Sequence, residues 1–356
     1  MEMEAYIKGT SIISAQPTFN TSGFLNEIIE TDAGYLNCIE PSYKEFLQPN
    51  MARRMARIIK MSIATSVTCM KEAGIEQPDA IITGTALGCL EDTEKFLLAF
   101  IENDEQFLTP TSFIQSTHNT VGAQIALQLK CMNYNFTYVH KGFSFESSLI
   151  DALMLIAEGE AKNILVGAHD EMRDKYYRVC ARIGYWKKEA VHTMQLINSQ
   201  SSGSIAGEGA SFFVLSSEKS TNDYAKLRGV KTFYKPGNEA DIERNLTTFL
   251  AEKNLKPEDI DVVVYGFNGD NRFDPIYNNL KTNFFKNSTA TYFKHLSGEY
   301  QTASGFALWT AANIVKTQTV PAAILIDAPK HKTIKNVLIY NTFLGTDHSA
   351  FLLSAC

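Results

Sequence analysis

Residues 138–153, YVHKGFSFESSLIDAL, narrow the possible folds more than any other part of the chain. Phe136, Tyr138 and Val139 are β-formers that follow a polar break at Asn133 to Asn135, and Leu149, Leu153 and Ile156 then recur at helical spacing. This is the pattern of a strand, a glycine-marked turn and an amphipathic helix, with Ser144 expected as N-cap and Glu146 in the first turn. Such an elbow sets orphan backbone N–H groups and the positive end of the helix dipole against whatever stands at the helix head. That place suits an anion or a nucleophile. Its occupants are Ser144, Phe145 and Glu146, none a nucleophile with a neighbouring base.

The same alternation continues on both sides of the elbow. Residues 5–13 and 80–83 read as strands, 49–73 as one helix with Arg53, Arg54, Arg57 and Lys60 on its polar face, and 91–102 as another helix. Pro110 is expected to end an element, 116–119 to form a polar turn containing His118, and 121–129 a helix. His118 could titrate or bind, or serve as a structural histidine. Strands at 163–167 and 211–215 precede a polar, charged stretch at 216–224, which divides the chain into halves 1–218 and 223–356. The second half repeats the element order: strand 226–233, helix 239–253, strand 261–265, helix 274–285, a short strand ending at Lys294, a small-residue helix 298–315, and strands 337–340 and 350–353. Alternating strands and helices predict a layered α/β structure with parallel or mixed sheets and an internal duplication.

Several function classes lose support. A net charge of −6 and the lack of a basic run give no electrostatic reason to expect nucleic acid or an anionic membrane. Six cysteines without CxxC spacing suggest reduced thiols, with neither a zinc site nor a disulfide framework. The acidic N-terminus MEMEAYIKG lacks an apolar core, and no run approaches the ~18–20 apolar residues of a membrane span, so a cytoplasmic protein is expected. GTALG at 84–88 lacks the Lys-Ser/Thr of a phosphate loop. His169, Asp170 and Glu171, adjacent on a strand exit, should point apart, so no metal is expected.

Seven stretches in order then carry a resemblance: RRMAR at 53–57, PTSFIQSTHNTVGAQIAL, the elbow with SSL and DAL, GEGA at 207–210, NGDNRFDP, KHLSGEYQTASG and FLGTDHSAFLL. Along essentially its whole length the chain resembles the ketosynthase branch of the thiolase superfamily, which condenses acyl chains on acyl carrier proteins. The resemblance implies a thiolase-like five-layer αβαβα fold of two topologically similar halves, dimerising through the strand and helix near the elbow. It also implies a nucleophilic cysteine at the head of the elbow helix and two histidines from the second half.

Carried over residue by residue, none of the three is present. The cysteine's place falls on Glu146 if Ala152-Leu153 are matched, and on Phe145 if Ser147-Ser148-Leu149 are. The first histidine is replaced by Tyr265, or by Gly266; the second is Glu299, five residues after the retained Lys294 and just after Gly298. Glutamate, with a reference pKa near ~4.3, cannot form the acyl thioester. The chain therefore resembles chain length factors, silent partners of an active ketosynthase that line part of its acyl tunnel and often carry glutamine for the cysteine, in particular those of aryl polyene or flexirubin-type systems. This implies a heterodimer with an active ketosynthase subunit, acyl carrier protein met through that partner, no cofactor, a tunnel or interface role for Phe113, Ile114, Gln115 and His118, and a gate loop at Phe343. Two alternatives stay open. In one, Glu146, Glu299 and Tyr265 converge as the acid–base centre of a homodimeric malonyl-thioester decarboxylase or atypical synthase; in the other, the chain is a structural homodimer.

Overall fold

The structure, a computed structural model, describes residues 3–21 and 23–356; Met1 and Glu2 of the acidic N-terminus lie outside it. The first half runs β1 (Ala5–Ile13), α1 (Pro49–Ala52), α2 (Arg57–Ala73), β2 (Ala80–Gly84), α3 (Leu90–Glu102), α4 (Pro110–Ser116), α5 (Thr120–Leu129), β3 (Tyr134–Tyr138), α6 (Ser144–Glu158), β4 (Asn163–Asp170), α7 (Asp174–Arg182) and β5 (Gly209–Ser216). The second runs β6 (Ala225–Tyr234), α8 (Glu239–Ala251), β7 (Val262–Tyr265), α9 (Asp274–Asn279), β8 (Thr289–Tyr292), α10 (Lys294–Ser297), α11 (Ser304–Thr317), β9 (Asn336–Phe343) and β10 (Asp347–Ser354).

The strands lie in the order β3-β2-β4-β5-β1-β6-β10-β9-β7-β8. Counted within each half, both follow the order third, second, fourth, fifth, first. In each half the outer three strands, at the sheet's edge, are parallel and the two nearer the middle join antiparallel, so the sheet is mixed. The halves are hydrogen-bonded along β1 and β6, from Ala5 opposite Leu227 to Ile7 opposite Ala225.

Strands buried on both faces explain the unbroken apolar runs. Ile82, Val166 and Phe213 of the first half and Val264, Ile339 and Phe351 of the second share one core with Phe145, Leu149 and Leu153 of α6 and Phe306, Ala307 and Ala311 of α11. Their sequence neighbours Ile81, Leu165 and Phe212 face outward onto α2 and α5, while Val263, Leu338 and Leu352 face α8 and α9. The result is αβαβα, with α6 and α11 as the central layer.

Local departures from the expected elements have physical causes. The helix expected over 49–73 breaks at 53–56, where Ala56 is extended and Arg57 starts α2 with its guanidinium clamped on Glu208 by two bonds of 2.6 Å. Pro110 opens α4 instead of ending an element, because its fixed φ suits the first helical turn. Strand β4 extends to Asp170 and takes His169 with it. Helix 274–285 passes after Asn279 into a π-helical turn, and α11 begins at Ser304 because Gly298, at φ 71°, leads into a loop.

The elbow differs in detail as well. Ser144 is the first helical residue and not the N-cap: its hydroxyl accepts from His140 N and donates to Lys141 O, both at 2.8 Å, bracing the turn. Lys141, not Gly142, takes the positive φ. Gly142 is needed for close approach, since a Cβ there would lie 2.7 Å from Phe343 Cβ.

Gly207 and Gly298 cross where GEGA meets the loop before α11. A Cβ on Gly207 would sit 2.1 Å from Ser297 O, and backbone bonds Glu299 N to Ile205 O and Gly207 N to Glu299 O lock the crossing. Gly207→Ala should cost about 3 kcal/mol by forcing backbone apart, read as a lowered urea midpoint at unchanged slope.

Candidate functional site

The strand β3, the turn and α6 place Ser144, Phe145 and Glu146 fully inside the protein. Phe145 packs between Phe213 and Phe351, with ring centroids at 5.8 and 6.3 Å, and is part of the central core. Glu146 turns to the C-terminal hairpin, where its Oε1 accepts from Ser349 Oγ at 3.0 Å and its Oε2 has no hydrogen-bond partner among the described residues. Burial pushes its carboxyl up to about 7 against the opposing effect of the helix-head backbone and the Ser304 and Ser349 hydroxyls. Below neutral pH the head of α6 therefore presents a neutral acid.

Lys294, at the start of α10, is fully buried and donates to Glu299 Oε2 at 2.7 Å and to Thr342 O at 3.1 Å. Asn268 Nδ2 donates to the same glutamate oxygen at 2.7 Å. Burial raises the Glu299 carboxyl, opposed first by the Lys294 ammonium. The retained lysine is thus committed to a glutamate and a carbonyl. Beside it, Asp274 accepts from the N–H groups of Asn268 and Gly269, and burial pushes it up to about 7.

Tyr265 ends β7, with its ring against Phe267 and Tyr277 at 5.7 and 6.1 Å and its hydroxyl without a partner among the described residues. Burial holds its phenol well above the ordinary value, so it stays un-ionised.

These positions gather along one short stretch of β9. Tyr265 pairs in register with Tyr340, Ser349 with Asn341, and Lys294 holds Thr342 O. Phe343 follows, nearly buried against the elbow turn, where Gly142 N donates to Asp347 Oδ2 at 3.2 Å. Among the described residues Glu146 and Glu299 share no hydrogen-bond partner; each carboxylate has its own set.

The other expected residues stand elsewhere. Phe113 and Ile114 on α4 are 55% and 61% exposed, and Gln115 Nε2 donates to Arg54 O at 2.6 Å. His118 lies against Gly88 in the following turn. Of the run 169–171, Asp170 accepts from Thr85 Oγ1, the N–H groups of Ala86 and Leu87, and Thr302 Oγ1, while Glu171 accepts from Glu91 N. No group of three or more His, Cys, Asp or Glu among the described residues could hold a metal ion.

Sequence reasoning missed Ser304, Ser349, Asn268 and Thr342. Ser304, Ser349 and Asn268 lie in or beside stretches that carry the resemblance, but nothing local marks a serine as the partner of a glutamate 203 residues away.

A five-layered αβαβα chain with two such halves and this elbow is a thiolase-fold protein of the ketosynthase type. Residues 36–227 match the beta-ketoacyl synthase N-terminal domain, and the chain belongs to the beta-ketoacyl synthase family. Among solved structures it is similar over 100% of both chains to the ishigamide ketosynthase/chain length factor (16% identity, TM-score 0.80) and to a beta-ketoacyl synthase from Burkholderia phymatum (13%, 0.80). It is also similar over 100% of both chains to a structure of a type II polyketide synthase acyl-carrier protein in complex with its ketosynthase bound to the hexaketide (14%, 0.75). At these identities the likeness is one of fold. No curated protein sequence matches the chain. No helix among the described residues is long and apolar enough to cross a membrane.

Proposed function

We propose that this chain is a non-catalytic, chain length factor-like subunit that pairs with an active beta-ketoacyl-ACP synthase and shapes its acyl tunnel, in polyketide, aryl polyene or flexirubin-type, or fatty-acid-type biosynthesis. The observation that carries this reading is Glu146: a fully buried carboxyl bonded to Ser349 at the helix head where the resemblance sets a nucleophilic thiolate. Protonated, it has the shape and neutrality of the glutamine that the resemblance associates with chain length factors. Glu299 and Tyr265 in the histidine places, one tied to Lys294 and the other closed in by aromatic rings, supply no substitute for the missing chemistry.

Pairing draws support from the surface. Strand β3 is a sheet edge whose Tyr134 and Phe136 are 44% and 47% exposed, and Phe113, Ile114 and Met132 add exposed apolar area. In this reading the partner's cysteine carries the growing chain, the carrier protein reaches it through the partner, and Phe113, Ile114 and Gln115 help set where elongation stops. Phe113→Ala in the reconstituted pair should shift the products to longer chains by mass spectrometry; an unchanged distribution would remove Phe113 as a gate.

A Glu146 carboxyl near 7 is also suited to proton transfer, and this favours the homodimeric malonyl-thioester decarboxylase as the second reading. The chain purified alone with malonyl carrier protein separates the two: release of carbon dioxide at enzymatic rates belongs to the second reading only.

A further inference from the structure

A cavity of about 460 Å³, within the size range of small-molecule sites, opens to solvent at the end of the sheet away from Phe343. Asn336 lies on its wall and begins β9, whose other end is Phe343, so the strand rise of about 3.3 Å per residue puts about 23 Å between this cavity and the candidate site. Glu4, Lys226, Arg228, Leu255 and Lys335 complete the part of the wall that matters here. Lys226 and Arg228, two residues apart on β6, both hold the Glu4 carboxylate, Lys226 through Nζ and Arg228 through Nε at 3.2 Å. Burial pushes the Glu4 carboxyl up, but these two cations outweigh it and keep the group below the ordinary carboxylate value, hence ionised.

A staple of Glu4 to Lys226 and Arg228 across the junction of the two halves would need neither a cavity nor a third cation. Lys335 nevertheless stands exposed on the same wall, and its ammonium forms no ion pair among the described residues. Three cations against one carboxylate leave two positive charges in excess, on a chain of net charge −6. The neighbouring acids are spent on backbone: Asp261 Oδ2 accepts from the N–H groups of Lys335 and Asn336, and Asp259 Oδ2 from that of Lys256. Arg228 is fixed by a second bond, Nη2 to Lys253 O at 3.0 Å, which leaves Nη1 without a partner among the described residues. A held guanidinium with spare N–H groups beside two ammonium groups is the donor set of a phosphate site. A phosphate monoester carries about −1.5 to −2 charges at pH 7, which matches the excess.

We infer that this cavity binds a phosphate monoester group, with Lys226, Arg228 and Lys335 on its oxygens and Leu255 against the organic part that carries it. The site stands apart from Glu146 and rests on neither pairing with a ketosynthase nor silence of the elbow. A soluble phosphorylated molecule and a phosphorylated lipid headgroup share this chemistry.

The test titrates the full chain with inorganic phosphate, adenosine monophosphate and, as the uncharged control, adenosine, and sediments it with phosphatidylcholine vesicles with and without phosphatidic acid. A phosphate-bearing probe should bind, with an affinity that drops steeply between about 50 and 300 mM salt, and adenosine should not. Lys335→Glu lies on an exposed side chain, so an unchanged melting curve checks its folding, and it should weaken that binding by about tenfold or more. Arg228→Lys keeps the charge and the Glu4 partner but loses the fork, and should weaken it by about fivefold. Binding of adenosine monophosphate assigns the site to a soluble ligand; sedimentation with phosphatidic acid alone, lost in Lys335→Glu, assigns it to a lipid headgroup. Binding of none of the phosphates at millimolar concentration, with no sedimentation, would overturn the inference, as would binding that both substitutions leave intact.

Discussion

Glu146→Gln is expected to raise the melting temperature by about 4 °C at pH 8 but by only about 1 °C at pH 5. The wild-type carboxyl sits at about 7 in the folded protein, chiefly through burial, against an ordinary value of 4.5. Between these two values the folded state holds a proton that the unfolded chain has released. Stability is therefore undiminished below about pH 4.5, falls as pH rises towards 7, and has lost about 3 kcal/mol once both states are ionised. Glutamine keeps the shape and can still accept from Ser349 but never ionises, so the loss disappears. Glu171 and Asp274, also pushed up to about 7, titrate in the same window, but they are common to both proteins and cancel in the difference. Scanning calorimetry of both proteins at the two pH values checks this. An equal shift at both would mean that Glu146 acts through packing and not through charge.

Lys294→Met and Glu299→Leu should each cost about 3–5 kcal/mol, while the double substitution should come within about 1 kcal/mol of wild type. Both groups are buried, and the pair is braced by Asn268 and by Thr342 O, so removing either partner strands the other in a low-dielectric interior. Removing both exchanges an ion pair for apolar contacts beside Phe293, a change that buried pairs often tolerate. Chemical denaturation of the four proteins gives the coupling; additive losses would show that the two residues act independently.

How much of this was legible in the sequence depended on range. Strands such as β2, β4 and β5 were readable because they are apolar on both faces: neighbours such as Ile81 and Ile82, or Phe212 and Phe213, feed different cores, and this produces unbroken hydrophobic runs. The repeated element order became the repeated strand order of the two halves. Breaks set by distant contacts were not readable. Arg57 opens α2 where Glu208, 151 residues away, receives its guanidinium, and the loop before α11 exists because Gly298 crosses Gly207. At the site, the order of seven stretches pointed to Glu146 or Phe145, to Tyr265 or Gly266, and to Glu299 as the places where the resemblance sets a cysteine and two histidines. The pairing of Lys294 with Glu299 was hidden because a five-residue spacing meets only across the left-handed turn at Gly298.

The most direct test is turnover of malonyl carrier protein by this chain purified with an active ketosynthase, comparing two substitutions. If the chain is a silent partner, Glu146→Gln leaves the condensation rate within about twofold of wild type, and replacing the partner's nucleophilic cysteine with alanine abolishes it. Loss of turnover on Glu146→Gln with the complex intact, or turnover by this chain alone, would contradict that claim.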